Sequence, residues 1–281
     1  MSQAINTNVR SLMAQQALTV NGRNLDKVMQ QLSSGQRINS AADDAAGLAV
    51  TQVMTAQIKG LDMAVRNAND AISMLTTAEG ALDAVSNMVQ RMRELAVQAA
   101  NGVYSSTQLG YMDDEYQALG EEIDRVLGNT TWNGMAVFGG SIGTSGSVTF
   151  QVGAGSTSLD TISVSLTSVG SFSSAGIAGA SIGSIGTSST AITAIGVLDD
   201  AIDGIAQLRS TLGATINQLT YAADNAVNIS TNTKASRSSI LDTDYASATT
   251  ELARSQIIQQ AATAMLAQGN QLPQTVLALL K

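Results

Sequence analysis

The sequence contains no cysteine and no histidine among its 281 residues. Without cysteine there is no disulfide framework, no thiolate nucleophile and no cysteine-ligated metal. Without histidine there is no imidazole base and no histidine-ligated zinc or copper. The segment from residue 179 to residue 183 fits the G-x-S-x-G pattern, but the serine of that motif needs a base and no histidine can supply it. We therefore expect no enzymatic activity and no cofactor.

Aromatic residues and positive charge are also scarce. Aromatic residues make up 3% of the chain and apolar residues 44%, so the core must be aliphatic, which suits helix packing. Lysine and arginine number 14 against 22 acidic residues, which gives a net charge of -8. Such a charge disfavours nucleic acid and anionic membranes as partners.

Long apolar runs are missing as well. The first residues have no continuous apolar segment of the kind found in a cleaved signal peptide. No run of 18 apolar residues occurs, so a membrane helix is not expected. Composition alone would place the protein in the cytoplasm.

Charged side chains are unevenly distributed along the chain. Between Arg125 and Asp199 the only one is Asp160, and this stretch is rich in glycine, serine and threonine. That composition is typical of turns and strands rather than helices. We expect a small β-rich insert here.

Period-two patterning within the insert predicts a β-hairpin. The apolar members of the two alternating runs are Val148, Phe150, Val152, Ile162, Val164 and Leu166, with GAGSTSLD between the runs. Residues 170–189 lack this pattern, and a disordered glycine/serine linker remains an alternative for them.

The flanks of the insert have helical periodicity. Three stripes with mostly three-four spacing predict a long helix before residue 101, a second over about residues 108–127 and a third after the insert. Ser40 and Asp43 resemble a capping box at the start of the first helix, and Asn101-Gly102 is a plausible stop. The economical arrangement is an antiparallel bundle with the β insert at one end.

Both ends of the chain are amphipathic, rich in glutamine and poor in charge. The N-terminal positions predicted to share one helical side, with Gly22 and Gly35 as interruptions, are Ile5, Val9, Leu12, Leu18, Leu25 and Leu32. The apolar C-terminal positions are Leu252, Ile258, Ala262, Met265, Leu272, Val276 and Leu279. Chain ends are usually polar and frayed, so apolar ends indicate a partner. We expect the two ends to pair with each other and with neighbouring copies, in an open contact that propagates into a filament. The alternative is that both fold back on the core of the monomer.

Several segments resemble the bacterial flagellins. They are INTNVRSLMAQQAL, LSSGQRINSAADDAAGLAV, RNANDAISMLTTAEGAL, QRMRELAVQAANG and the C-terminal ILDTDYASATTELARSQIIQQAATAMLAQGNQLPQTVLALL. Together they cover nearly all of residues 1–139 and 195–281, in the order and at the spacing of the family.

The resemblance implies a mainly α fold: a long antiparallel helical bundle or coiled coil with a small β-hairpin-rich insert. The terminal helices, residues 1–40 and 241–281, would pair in the assembled filament as its inner tube. The helical bundle would comprise residues 41–138 and 195–240. Residues 139–194 would form the variable insert, which would face solvent.

The resemblance also implies a function and a location. The chain would polymerise into the extracellular flagellar filament for swimming motility, after export in an unfolded state through the flagellar type III apparatus. Its partners would be copies of itself, the hook-associated junction and cap proteins, and an export chaperone. This overrules the cytoplasmic expectation from composition. A hook–filament junction protein, which shares the terminal helices, is the alternative.

A further implied partner is the vertebrate Toll-like receptor for flagellin. The receptor-binding positions of the family correspond to Arg91, Leu95 and Glu115. Without the resemblance, Leu95 would be interpreted as a bundle residue and the other two as solvated helix charges.

Overall fold

The computed structural model describes residues 8–138, 143, 146–166 and 183–279, except for the side chains of residues 10 and 272–279. Long helices dominate this part of the chain, which confirms the mainly α prediction. The helices are α1 (Val9–Ser34), α2 (Ala45–Ala99), α3 (Ser106–Asn129), α4 (Ser188–Leu241) and α5 (Tyr245–Leu279). The strands are β1 (Thr131–Trp132), β2 (Met135–Ala136), β3 (Ser147–Gln151) and β4 (Thr161–Ser165).

Local capping explains the limits of α1. The side chain of Asn8 accepts a hydrogen bond from the backbone amide of Ser11 at 3.2 Å and caps the helix start. Gly35 ends the helix in the left-handed conformation at φ 70°, which glycine adopts without a steric penalty. Gly22 lies inside the continuous helix, so the predicted interruption there is wrong.

The cap of α2 is Asp44 rather than Ser40. The Asp44 carboxylate accepts a hydrogen bond from the Gly47 amide at 2.8 Å, and its carbonyl accepts one from Leu48 at 3.0 Å. Ser40 and Asp43 instead bond to each other in a turn before the helix, with two Ser40 atoms at 3.0 Å from the Asp43 carboxylate. The Ser40–Asp43 pattern therefore closes a turn whose first residue lies four positions before the residue that caps the helix.

The other helix limits follow the same logic. Ser105 and Gln108 form a reciprocal capping box, so α3 begins two residues before the predicted start. Thr187 accepts a hydrogen bond from the Thr190 amide at 3.3 Å just before α4. Helix α4 therefore begins at Ser188, inside the region expected to be β-rich.

The chain divides into two compact units. The first comprises residues 1–56 and 232–281, and the second comprises residues 57–231. Helices α2 and α4 contribute to both. These limits differ from the predicted domains, whose assignment to layers of a filament remains a prediction.

The core of the second unit is aliphatic and formed mainly by α2, α3 and α4. Its α2 stripe combines alanines with larger aliphatic residues: Ala68, Ala71, Leu75, Ala78, Leu82, Val85, Val89, Met92, Ala96 and Ala99. The predicted stripes are largely confirmed, except that Tyr111 of α3 is 69% exposed. Tyr116 is the aromatic residue of α3 that is fully buried.

Side-chain pairs along α2 and α4 show that these helices are antiparallel. Arg93 Nε lies 2.6 Å from the Asp199 carboxylate, and Arg209 Nη2 lies 2.6 Å from the Glu79 carboxylate. Thus residue numbers fall along α2 as they rise along α4. The predicted antiparallel bundle is confirmed for this unit.

The predicted β-hairpin is confirmed: β3 and β4 are antiparallel, with Val148 opposite Val164 and Phe150 opposite Ile162. It lies along α2 rather than at the end of the bundle, since Asn67 donates a hydrogen bond to the Gln151 carbonyl at 3.2 Å. Its apolar face requires burial, and the side of α2 provides a partner surface.

The loop of this hairpin approaches α2 closely. A Cβ added at Gly60 would lie 2.9 Å from Ala154, so glycine allows the close approach. Residues 170–189, for which a disordered linker was the alternative to β structure, lie mostly outside the described residues.

Candidate interaction surfaces

In the first unit, α1 and α5 form an antiparallel pair. Its interior on α1 follows a heptad repeat of buried and half-buried residues. The members are Ser11, Ala14, Leu18, Asn21, Leu25, Val28 and Leu32. The corresponding α5 residues include Ala248, Leu252, Ser255, Ala262, Leu266 and Gly269. We call this interior the terminal seam.

The terminal seam is unusually polar for a helix pair. Asn21 donates a buried hydrogen bond from its side-chain amide to the Ser255 carbonyl at 2.8 Å. Asn8 donates a similar bond to the Gly269 carbonyl at 2.9 Å. Polar and small residues lie between the leucines of the seam, and those leucines are only half-buried, so the seam stabilises the pair less than an all-aliphatic seam would.

The outward faces of the same helices carry large apolar side chains. On α1 the exposed members are Val9, Leu12, Met13, Val20 and Met29, and on α5 they are Ile257, Ile258 and Met265. Met13, Ala17 and Val20, with three polar neighbours, line a groove of about 470 Å³. We call these exposed residues the outer apolar faces. Exposed apolar patches of this kind mark sites of contact with another protein.

Few charges interrupt the outer apolar faces of α5. Glu251 and Arg254 pair with each other at 3.0 Å, and no charged residue occurs between Arg254 and Lys281 in the sequence. Identical copies could therefore stack along this helix without like-charge repulsion.

The structure separates the predicted assembly residues into two environments. Val9, Leu12, Ile258 and Met265 are exposed, whereas the half-buried members in the terminal seam are Leu18, Leu25, Leu32 and Leu252. The prediction of one shared side on α1 is thus wrong, because the heptad register places Leu12 away from the leucines that follow it. Ile5 and the side chains of Leu272, Val276 and Leu279 lie outside the described residues.

Sequence reasoning missed several members of both surfaces. Asn21 and Ser255 were not recognised because they are polar, although the heptad register of the flanking leucines passes through both positions. Met13 and Ile257 were missed because they lie off the apolar stripe used to predict the helices. That deviation from the stripe is itself the signal for a second, outward surface.

The predicted receptor residues form a second candidate site, on α2 and α3. The guanidinium of Arg91 donates two hydrogen bonds to the Glu115 carboxylate, at 2.9 and 3.0 Å, and a third to Glu94 at 3.0 Å. Hydrogen bonds to Glu94 and then Glu115 raise the pKa of Arg91 above its ordinary value. Both partners of the interhelical pair remain about half exposed.

Leu95 differs from its two predicted companions. It is only 3% exposed and belongs to the aliphatic core of the bundle. The structure therefore brings Arg91 and Glu115 together at the surface, with Leu95 beneath it. A direct receptor contact by the Leu95 side chain has no support in this geometry.

No other chemistry is evident in the described parts of the chain. Among the described residues no group of three or more acidic side chains is arranged to hold a metal ion. None of the described helices combines the length and apolar character needed to cross a membrane.

Comparison with known proteins assigns the family. Residues 5–142 match the bacterial flagellin N-terminal helical region, and residues 195–280 match the bacterial flagellin C-terminal helical region. The flagellin of Halalkalibacterium halodurans is 42% identical over 277 residues, which cover 99% of each chain. The flagellar filament 33 kDa core protein of Treponema phagedenis is 37% identical, again with 99% of each chain covered.

A solved structure supports the fold. A putative flagellar hook-associated protein from Vibrio parahaemolyticus superposes with a TM-score of 0.58 at 14% identity, covering 71% of this chain and 100% of that one. At this identity the likeness concerns the fold alone. The two family regions and the full-length relatives show that the chain belongs to the bacterial flagellin family, the structural subunits of the extracellular flagellar filament.

Proposed function

We propose that the chain polymerises through the outer apolar faces of α1 and α5. The observation that carries this proposal is the inversion of polarity in the terminal pair: buried positions include Ser11, Asn21 and Ser255, while Met13 and Met265 are 67% and 68% exposed. A helix pair that acted alone would place its large apolar side chains inside. This pair leaves several of them exposed, where a neighbouring copy would cover them.

Burial of the exposed apolar side chains would drive assembly. Complete burial of one Val, Leu, Ile or Met side chain contributes about 1.5–3 kcal/mol. Several such residues lie on each helix, and the two helices present different sets of side chains. Contact between unlike faces is heterologous and leaves a free face at each end, so addition of copies continues into a filament.

The weak terminal seam suits a subunit that travels before it assembles. Because the leucines of the seam are only half-buried, the ordering entropy of two long helices is poorly offset in the free monomer. Contacts with neighbouring copies would supply the missing burial. We infer that the ends order on assembly, after type III export of an unfolded chain with the help of a chaperone. The hook-associated junction and cap proteins would bind the same faces at the ends of the filament.

Seeded growth tests the proposal and separates it from the hook–filament junction alternative. Purified chain is added to short filament fragments, and elongation is followed by sedimentation and electron microscopy. A filament subunit extends the seeds by many copies. A junction protein binds at the ends without further growth, and a chain that leaves the seeds unchanged would contradict both functions.

We also propose that the exposed Arg91–Glu115 pair binds the Toll-like receptor for flagellin. The pair supports this because both side chains are held in fixed positions between α2 and α3, yet each remains about half exposed. A preorganised guanidinium loses little rotamer entropy on binding. Leu95 would contribute indirectly, because its packing in the core holds α2 in place beneath the Arg91–Glu115 pair.

Binding of the isolated receptor ectodomain tests this assignment. Arg91→Ala should weaken binding, whereas Arg125→Ala should not. Arg125 is a matched control because it is also exposed and paired with a carboxylate three residues away, Glu122. Equal affinity of the Arg91 variant and the unmodified chain would contradict the proposal.

A further inference from the structure

The segment that follows α1 pairs with the segment that joins α4 to α5. The Arg37 amide donates a hydrogen bond to the Leu241 carbonyl at 2.6 Å, and the Thr243 amide donates one to the Gly35 carbonyl at 3.0 Å. Gln36 and Asp242 form an antiparallel bridge between them. We call residues 35–37 and 240–243 the junction.

The Arg37 side chain caps the end of α4 within the junction. Its Nη2 and Nε atoms both donate hydrogen bonds to the Ile240 carbonyl, at 2.6 and 3.2 Å. The last carbonyls of a helix have no partner inside the helix and form the negative end of its dipole. A guanidinium is well suited to this position because it carries a fixed charge and several donors.

Arg37 is also fixed relative to α1. The Gln31 side chain donates a hydrogen bond to the Arg37 carbonyl at 2.9 Å, and the Gln31 carbonyl accepts the Gly35 amide at 2.9 Å. A continuous chain of hydrogen bonds thus joins the last turn of α1 to the last turn of α4. The end of α1 cannot shift along α4 without breaking it.

The antiparallel pairing of the junction continues into the terminal seam. Tyr245 donates to the Leu32 carbonyl at 3.4 Å, and the Asn21 and Asn8 side chains contact α5 in the same register. The seam alone specifies this register poorly. A slip of seven residues preserves the heptad, and both asparagine donors bond to backbone carbonyls, which every position of α5 offers.

We propose that Arg37 is the positioning residue that sets the register of the α1–α5 pair. The inference rests on the proposed assembly function, because each copy must present the same outer apolar faces to its neighbours. Arg37 acts through the carbonyl of Ile240 and has no place in the outer apolar faces themselves. The contacts of the junction fix the register at one end of the helix pair. The terminal seam then follows this register, because the seam itself does not distinguish one register from another.

The absence of native cysteine allows the register to be measured directly. The register places Leu25 opposite Leu252, whereas a slip of one heptad would place Leu25 opposite Gln259. Two double variants are made, Leu25→Cys with Leu252→Cys and Leu25→Cys with Gln259→Cys. Oxidative cross-linking within one chain is then quantified in monomers and in seeded filaments, each in the Arg37, Arg37→Ala, Arg37→Lys and Arg23→Ala backgrounds.

The proposal predicts that Arg37→Ala changes the α5 residue to which residue 25 is cross-linked. Arg37→Ala should lower the Leu25–Leu252 cross-link by about tenfold or more, corresponding to the loss of one charge-assisted hydrogen bond, and should create the Leu25–Gln259 cross-link. Arg37→Lys should restore part of the native cross-link, because lysine keeps the charge and can donate a single hydrogen bond to the Ile240 carbonyl. Arg23→Ala removes the same charge from an exposed position on α1 and should leave the native pattern unchanged.

Other results would overturn the proposal. An unchanged pattern in Arg37→Ala shows that the side chain does not set the register. Loss of both cross-links, with the second unit still folded by circular dichroism, shows that Arg37 only holds the helices together. If the unmodified chain fails to elongate seeds but its cross-links shift as expected, the assembly function fails and the role of Arg37 in the register stands.

Discussion

The side-chain amide of Asn21 donates a buried hydrogen bond to the carbonyl of Ser255, 234 residues away in the sequence. This contact joins the two ends of the chain in the middle of the terminal seam. It places a polar group where a helix pair usually has an aliphatic one, at a cost in stability.

Asn21→Leu should therefore stabilise the α1–α5 pair of the free monomer, by about 1–2 kcal/mol, because leucine adds apolar burial and leaves no unpaired donor. The change is measured as slower proteolysis of the chain ends and higher helicity by circular dichroism. Asn24→Leu is the matched control, since Asn24 is exposed on the next turn of α1. Equal effects of the two substitutions would contradict a specific role for the buried position.

Two glycines of the N-terminal segment should respond to alanine with opposite signs. Gly35 has φ 70°, and an added Cβ would lie 3.2 Å from the Tyr245 hydroxyl, so Gly35→Ala should destabilise the first unit by about 1 kcal/mol. Gly22 lies within α1 with nothing within 4 Å of an added Cβ, so Gly22→Ala should stabilise it by about 0.5–1 kcal/mol. Thermal melting of assembled filaments measures both, and a shared sign would contradict these assignments.

Asp43 should make the segment before α2 sensitive to acid. Hydrogen bonds from Lys27 and then Ser40 lower its pKa from the ordinary 3.8 to about 2. Because the folded-state pKa is depressed, the stabilisation is complete well above pH 3.8 and is lost as the pH falls from there toward 2. The protection of the 39–44 amides against hydrogen exchange, relative to their intrinsic rates, should fall over this range, and in Asp43→Asn it should already be low at pH 6. If the difference in exchange between the unmodified protein and Asp43→Asn did not change with pH, the assignment would be contradicted.

Leu95 should behave as a core residue rather than a contact residue. Leu95→Ala leaves a cavity in the bundle and should lower the free energy of unfolding by about 2–5 kcal/mol. Arg91→Ala removes an exposed ion pair and should change bundle stability little. Chemical denaturation of both variants separates the two cases. A Leu95→Ala variant of unchanged stability would show that the residue is not needed for packing.

Much of the fold could be predicted because it depends on local periodicity. The α2 stripe and the alternation from Val148 to Leu166 each define an element and its buried face without reference to the rest of the chain. Chain order and short loops then favoured the antiparallel bundle. The β1–β2 hairpin was missed although Asn133-Gly134, with φ 48° and 78°, carries the strongest short hairpin signal, because its two-residue strands show no alternation.

The interaction surfaces were harder to predict, for a physical reason. Hydropathy identifies apolar residues but does not tell which of two faces meets the partner helix and which meets another copy. Val9 and Leu18 look alike in sequence, yet one is exposed and the other lines the terminal seam. The junction contacts of Arg37 depend on backbone carbonyls more than 200 residues away. Every residue has a backbone carbonyl, so the side-chain types in the sequence do not indicate which carbonyl Arg37 binds.

Seeded elongation by a variant of the outer apolar faces tests the assembly surface most directly. Met13→Ser combined with Met265→Ser removes one large apolar side chain from each face and leaves the terminal seam intact. Ile192→Ser combined with Val227→Ser is the control, since both residues are exposed apolar positions of α4 in the second unit. The terminal variant should raise the monomer concentration needed for growth by about tenfold or more, with the control unchanged. Growth of the terminal variant at the unmodified concentration would contradict assembly through these faces.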